Sequence, residues 1–154
     1  MVVTVEGQPR RRRWRTVKSD TDRLAEVRAF VRTAVADFGG SKRASDDLVQ
    51  AVDEATCNVM LHGYAGKPGE IEIEAALRDR NIEIRILDRA PSFDPTAGPE
   101  AGTSTPPRPT RRGGMGMGVH LLRTMVDEVH HSARSDGGNE LTLVRSIEDR
   151  VQED

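Results

Sequence analysis

Two short segments alternate strictly with a period of two, and they constrain the fold more than any other feature of the chain. In EIEIEAAL, Ile71, Ile73 and Ala75 alternate with Glu70, Glu72 and Glu74; in NIEIRIL, Ile82, Ile84 and Ile86 alternate with Glu83 and Arg85. Successive side chains of a strand point to opposite faces, so both segments predict strands of a sheet with one dry face and one wet face. The intervening Arg78, Asp79, Arg80 and Asn81 have turn composition and make the pair a hairpin. A dry face needs a second layer, and 154 residues suit one domain built that way.

Helical periodicity supplies that layer. Leu24, Val27, Phe30, Val31, Ala34 and Phe38 recur at spacings of three and four, after N-cap chemistry at Ser19 to Thr21 and before Gly39-Gly40. A second helix is expected from near Ser45, with Asp46 and Asp47 suiting its N-terminal dipole, through DLVQAVDEATCNVMLHGY. Leu48, Val52, Ala55 and Val59 form its inner stripe, and Gly63 and Gly66 stop it. A short strand is expected over 14–17, and a third helix over about 117–128 with Val119, Leu122 and Val126 inward. Two more strands, around 129–133 and 140–146, are joined by Asp136-Gly137-Gly138-Asn139. The order predicts an α+β fold, a two-layer sandwich with a mixed, mainly antiparallel sheet and helices on one face. Residues 1–12 read as a basic N-terminal segment and 13–150 as the domain. Within it, 95–113 (PTAGPEAGTSTPPRPTRRG) has the length and composition of a lid, binding loop or linker.

Composition narrows the function. Apolar residues make up 36% and charged residues 31%, which leaves a lean core. A net charge of -2 excludes a polycation that binds nucleic acid by bulk electrostatics. The cluster Arg10, Arg11, Arg12, Arg13, Arg15 therefore reads as a solvated edge or a partner-contacting surface. No apolar run approaches the roughly 18 residues of a membrane span. The N-terminus lacks the apolar stretch of a secretory signal. The single cysteine, Cys57, reads as a small buried hydrophobe in a reducing, cytoplasmic protein. His120, His130 and His131 lack partners at metal spacing and are expected to be structural or exposed.

Three places carry candidate chemistry. Glu54, Asn58 and His62 stand at i, i+4 and i+8 on one face of the second helix, offset from its apolar stripe. An amide oxygen is a hard ligand for Mg²⁺ shared with phosphates, and a carboxylate one turn away can take a proton from a hydroxyl. The same residues also suit an ordinary exposed helix face. Gly113-Gly114-Met115-Gly116-Met117-Gly118 opens the third helix, where free backbone N–H groups attract phosphate. The spacing matches neither a Walker loop nor a dinucleotide fingerprint, and a flexible hinge is the plain alternative. Asp88, in LDRAPSFDP at a strand end, can accept a hydrogen bond from an exocyclic amine or simply serve a turn.

Taken in order, these elements resemble the Bergerat ATP-binding fold of the GHKL superfamily, and more closely the anti-sigma-factor serine/threonine kinases of bacterial partner switching. DEATCNVMLHGY is similar to that family's Glu-x-x-x-Asn box followed by His-Gly-Tyr. The resemblance covers roughly residues 14–147 and implies ATP and Mg²⁺ as cofactors, with Glu54 as general base and Asn58 as Mg²⁺ ligand. It further places His62 beside the nucleotide and Asp88 at the adenine amino group, followed by Ala90. Gly114, Gly116 and Gly118 would bind phosphates, Met117 would line the lid or base pocket, Thr142 would lie near adenine, and loop 95–113 would be the ATP lid. One departure stands out: the family's Asp-x-Gly is Asp88-Arg89-Ala90 here, and alanine resists positive φ. The implied activity is phosphorylation of a STAS-domain anti-anti-sigma protein by a homodimeric regulator that also binds a sigma factor. Contact with nucleic acid or membrane is not expected. The alternative is a nucleotide-responsive module that sequesters a sigma factor or regulator with little or no kinase activity.

Overall fold

A computed structural model describes residues 11–91 and 122–149. It contains β1 (Arg11–Lys18), a 3₁₀ turn (Thr21–Arg23), α1 (Leu24–Asp37), α2 (Lys42–Asn58), a π turn (Val59–Gly63), β2 (Glu70–Arg78), β3 (Asn81–Asp88), β4 (Glu128–Ala133) and β5 (Asn139–Ser146). The strands form one sheet in the order β1-β2-β3-β5-β4. All four pairings among the described residues are antiparallel, so the expected mixture contains no parallel pair there.

The alternation of β2 and β3 works as the sequence predicts. Ile71, Ile73, Ile82, Ile84 and Ile86 are buried beneath Val27, Val31 and Val35 of α1 and Leu48, Val52 and Ala55 of α2. Each isoleucine buried this way contributes about 1.5–3 kcal/mol before entropy is counted. Leu141 and Leu143 continue the same face onto β5, and Leu122 and Val126 complete it. Among the described residues no helix is long and apolar enough to cross a membrane.

Several boundaries differ from expectation, three of them for an electrostatic or hydrogen-bonding reason. β1 begins at Arg11, inside the segment read as basic N-terminus. Alternate arginines replace alternate apolar residues there. Arg15 pairs with Glu26 at 3.3 Å and Arg13 with Asp37 at 3.7 Å, both toward α1, while Arg12 turns to Glu74 at 3.3 Å on the other face. Charge on a sheet edge also discourages pairing with other chains. α2 begins at Lys42, not near Ser45, because the Ser41 hydroxyl accepts the Ala44 N–H at 3.0 Å. Asp46 then lies past the first turn and pairs with Lys42 and Arg32; hydrogen bonds from both, Lys42 first, hold its carboxyl below the usual range. Finally, α2 gives way after Asn58 to a wider turn, in which the Tyr64 N–H reaches the Val59 carbonyl at 2.8 Å. Of the expected third helix, 122–125 is helical, and β4 already starts at Glu128.

Candidate functional site

The site grows from the inner face of the sheet where apolar alternation ends. Asp88 is in phase with Ile82, Ile84 and Ile86, and Asn139 with Leu141 and Leu143; the two are register partners across β3 and β5. Both are buried. Asp88 Oδ1 accepts the Ala90 N–H at 2.9 Å and Asn139 Nδ2 at 3.0 Å. Its other oxygen has no partner among the described residues. The Asp88 carbonyl accepts Arg134 Nη1 at 3.1 Å, and Arg89 pairs with Asp136, whose carboxyl it holds below the usual range chiefly by a hydrogen bond. The β4–β5 hairpin thus clamps the strand end that carries the carboxylate.

From the helix side, α2 contributes Asn58. A small cavity is lined by Asn58, Asp88, Asn139 and His131 and closed by Ala55, Val59, Leu122 and Leu141. At about 20 Å³ the cavity has room for little more than a water, and its apolar walls around a carboxylate with one saturated oxygen suit the amino edge of a flat ring and not the whole ring. Glu54 lies one turn before Asn58 and is only 2% exposed, against 6% for Asn58, so this is not a solvated helix face. Glu54 does not itself line the cavity. Neither does His62: the π turn breaks the 3.6-residue phase after Asn58, and His62 Nε2 is buried with no hydrogen-bond partner among the described residues.

Thr142 requires a correction. It is out of phase with Leu141 and Leu143 and occupies the outer row Trp14, Glu74, Arg85, Thr142, His130, on the opposite side of the sheet from the helices. Asn139, read in the sequence only as a turn residue, stands in the cavity instead. Ala90 is buried, and positive φ among the described non-glycine residues occurs only at Ala65 and Asp79. The alanine in the Asp88-Arg89-Ala90 segment therefore carries no backbone strain. Gly114, Gly116, Met117 and Gly118, with the loop 95–113, lie outside the described residues. Cys57 is buried, as a small hydrophobe should be.

Tyr64 ties these parts together. Its hydroxyl donates to the Glu70 carbonyl at 2.6 Å and accepts the Arg89 N–H at 2.8 Å. Its ring lies so close over Gly69 that a Cβ there would stand 2.2 Å from Cε1. One side chain thus joins the end of the π turn, the start of β2 and the residue after Asp88. Tyr64→Phe keeps the ring but orphans both backbone groups, and urea denaturation should show a loss of about 1–2 kcal/mol.

An antiparallel sheet under two helices, with a carboxylate, an amide and apolar walls at one sheet end, is the architecture of a nucleotide-binding α+β domain. Residues 17–145 match the model of the histidine kinase-like ATPase domain, and the chain belongs to that family. An anti-sigma F factor from Thermoanaerobacter sp. (strain X514) is 31% identical over 121 residues, 76% of this chain and 81% of that protein. The serine-protein kinase RsbW of Listeria monocytogenes serotype 4a is 31% identical over 123 residues, 75% of this chain and 74% of that one. Within the wider family, the chain is thus a member of the anti-sigma serine-kinase group. A crystal structure of the RsbU and RsbW domains of Rv1364c from Mycobacterium tuberculosis superposes with a TM-score of 0.63 at 23% identity. The match covers 90% of this chain and about a third (32%) of that longer one, and it bears on the fold alone.

Proposed function

We propose that the protein is an ATP-dependent serine/threonine kinase and anti-sigma regulator that acts on a STAS-domain anti-anti-sigma protein. The observation that carries this reading is the meeting of Asn58 and Asp88 in one cavity, with Asp88 Oδ1 already saturated. The remaining Asp88 oxygen accepts a hydrogen bond from the base amino group. Asn58, a buried amide at the cavity edge, fits Mg²⁺ as a hard oxygen ligand, and the ion when bound supplies charge neutralisation at the phosphates. By the family likeness, backbone amides at Gly114, Gly116 and Gly118 would bind the triphosphate, Met117 would line the lid or base pocket, and 95–113 would be the lid. Glu54 takes the proton of the attacking serine or threonine hydroxyl as its oxygen bonds to the γ-phosphorus and the bond to the ADP oxygen breaks. In its other complex the protein, a cytoplasmic homodimer, holds a sigma factor. The names of its relatives, anti-sigma F factor and serine-protein kinase, support both roles. The unstrained backbone at Ala90 gives the purely sequestering alternative no support.

Calorimetric titration of Mg-ATP tests the premise. The wild-type protein should bind with measurable heat, and Asn58→Ala should weaken binding about tenfold or more through loss of a ligand to the ion. Absence of binding by the wild-type protein overturns the proposal.

A further inference from the structure

The arginine-rich strand takes no part in the proposed reaction, and it is a free edge of the sheet. β1 stands first in the order β1-β2-β3-β5-β4 and pairs only with β2 among the described residues. The Ser19 N–H meets the Gly69 carbonyl at 2.8 Å, one step beyond the register pair Lys18–Glu70. Hydrogen-bonded pairs alternate along an antiparallel ladder, so Val17, Arg15, Arg13 and Arg11 turn their backbone groups to β2. Arg12, Trp14, Thr16 and Lys18 turn theirs outward. The Arg12 carbonyl accepts Arg13 Nη1, and the Lys18 carbonyl accepts the Asp20 N–H. The N–H and C=O groups of Trp14 and Thr16 have no partner among the described residues. Positive charge flanks this open stretch. The ion pairs of Arg11, Arg12, Arg13, Arg15 and Lys18 among the described residues involve only Glu26, Asp37 and Glu74, and Glu74 is shared with Arg85. Arg11, Arg13 and Arg15 line the helix side of the edge, while Trp14, 51% exposed, stands on the other.

We propose that the outer edge of β1 docks an acidic, extended segment of a partner protein, which joins the sheet as a further strand. The segment's backbone completes the ladder at Trp14 and Thr16. Its alternate carboxylates lie beside Arg11, Arg13 and Arg15 on the helix side, and its neutral residues lie beside Trp14 on the other. The charge that keeps neutral and basic strands off this edge is what admits an acidic one. A second copy of β1 is a poor occupant, because self-pairing sets two cationic strands side by side. Nucleic acid fits less well than peptide. A phosphate backbone offers no donor to the Trp14 and Thr16 carbonyls, and Glu26 and Asp37 stand among the arginines and repel it. An extended peptide brings donors and acceptors at strand spacing.

Trp14 is the only tryptophan of the chain, so its fluorescence reports on the edge directly. The full chain is titrated with an acetylated and amidated octapeptide that alternates glutamate with threonine. Emission should shift to the blue and saturate, and the affinity should fall as salt rises. Two N-methylated forms, one methylated at the threonines and one at the glutamates, keep every charge. The form whose methyl groups replace the ladder-facing N–H groups should bind about tenfold or more weakly than the parent, and the other close to it. Thr16→Pro places a ring on the open side of the strand without removing a bonded N–H. It should unfold at close to the wild-type temperature and bind the parent peptide about tenfold or more weakly. Should Thr16→Pro fail to fold, the methylated peptides decide alone. No response to the parent peptide, or equal binding of all three, overturns the proposal. So does tighter binding of a single-stranded oligonucleotide than of the peptide. Sedimentation of the peptide-free protein completes the test: self-association that Thr16→Pro abolishes assigns the edge to a second copy and overturns the proposal, and an unchanged oligomeric state supports it.

Discussion

Glu54→Gln should abolish phosphoryl transfer while Mg-ATP still binds. That outcome follows if Glu54 is the proposed general base, since glutamine matches its size but takes no proton. Glu54 is buried on α2, one turn before Asn58, and is absent from the residues that line the cavity. Its loss should therefore spare the grip on the nucleotide. General-base contributions of about 10²–10⁴ in rate set the scale. Transfer of radiolabel from ATP to a STAS-domain substrate measures the rate, and calorimetry on the same preparation measures binding. A variant that phosphorylates at the wild-type rate would remove Glu54 from the mechanism. A variant that transfers nothing because it has also ceased to bind would recast Glu54 as part of the binding site.

The second large effect is structural. Gly138, in the β4–β5 hairpin, has φ +105°, and a Cβ built on it would stand 2.0 Å from the Asp88 carbonyl oxygen and 2.8 Å from Arg89 Cα. Both obstacles are backbone and cannot rotate away. Gly138→Ala must distort its own φ and also push the hairpin off the end of β3, at a combined cost of about 3 kcal/mol or more. In thermal unfolding that is a drop on the order of 10 °C for a domain of this size. The register pair Asp88–Asn139 sits beside the clash, so Mg-ATP affinity should fall about tenfold or more in addition. Gly137→Ala is the control. Gly137 also has positive φ, +95°, but a Cβ there meets nothing within 4 Å. It should lose only the conformational penalty of about 1–2 kcal/mol and keep its affinity. Equal losses for the two variants would show that the close approach to Asp88 is unimportant.

Much of this was legible in one dimension. The helix stripes of α1 and α2 and the alternation of β2 and β3 are periodic, and periodic burial is what a sequence reports directly. Asn58 and Asp88, which meet in the cavity, were legible because a helical box and a strand end are local features. Thr142 and Asn139 show the limit. The alternation of Leu141 and Leu143 puts Asn139, not Thr142, on the inner face, whereas the family likeness of the ELTLVR segment points to the threonine. The sequence marks only 14–17 of β1, because the strand's inner face carries Arg11, Arg13 and Arg15, whose partners on α1 are distant in sequence. His62 was placed by a regular helical phase that the π turn interrupts.

The amino-acid order by itself determined the layers: which residues lie under the helices, where each strand turns over, and which acid and amide share a face of α2. Tertiary structure alone decided which oxygen of Asp88 is available, because that depends on Asn139, 51 positions along the chain, and on Arg134 and Gly138 holding the hairpin against the strand end. Apolar burial is a property of each residue and repeats with the backbone, so it is written locally. Hydrogen-bond direction is a property of pairs, and the chain must close before the pairs exist.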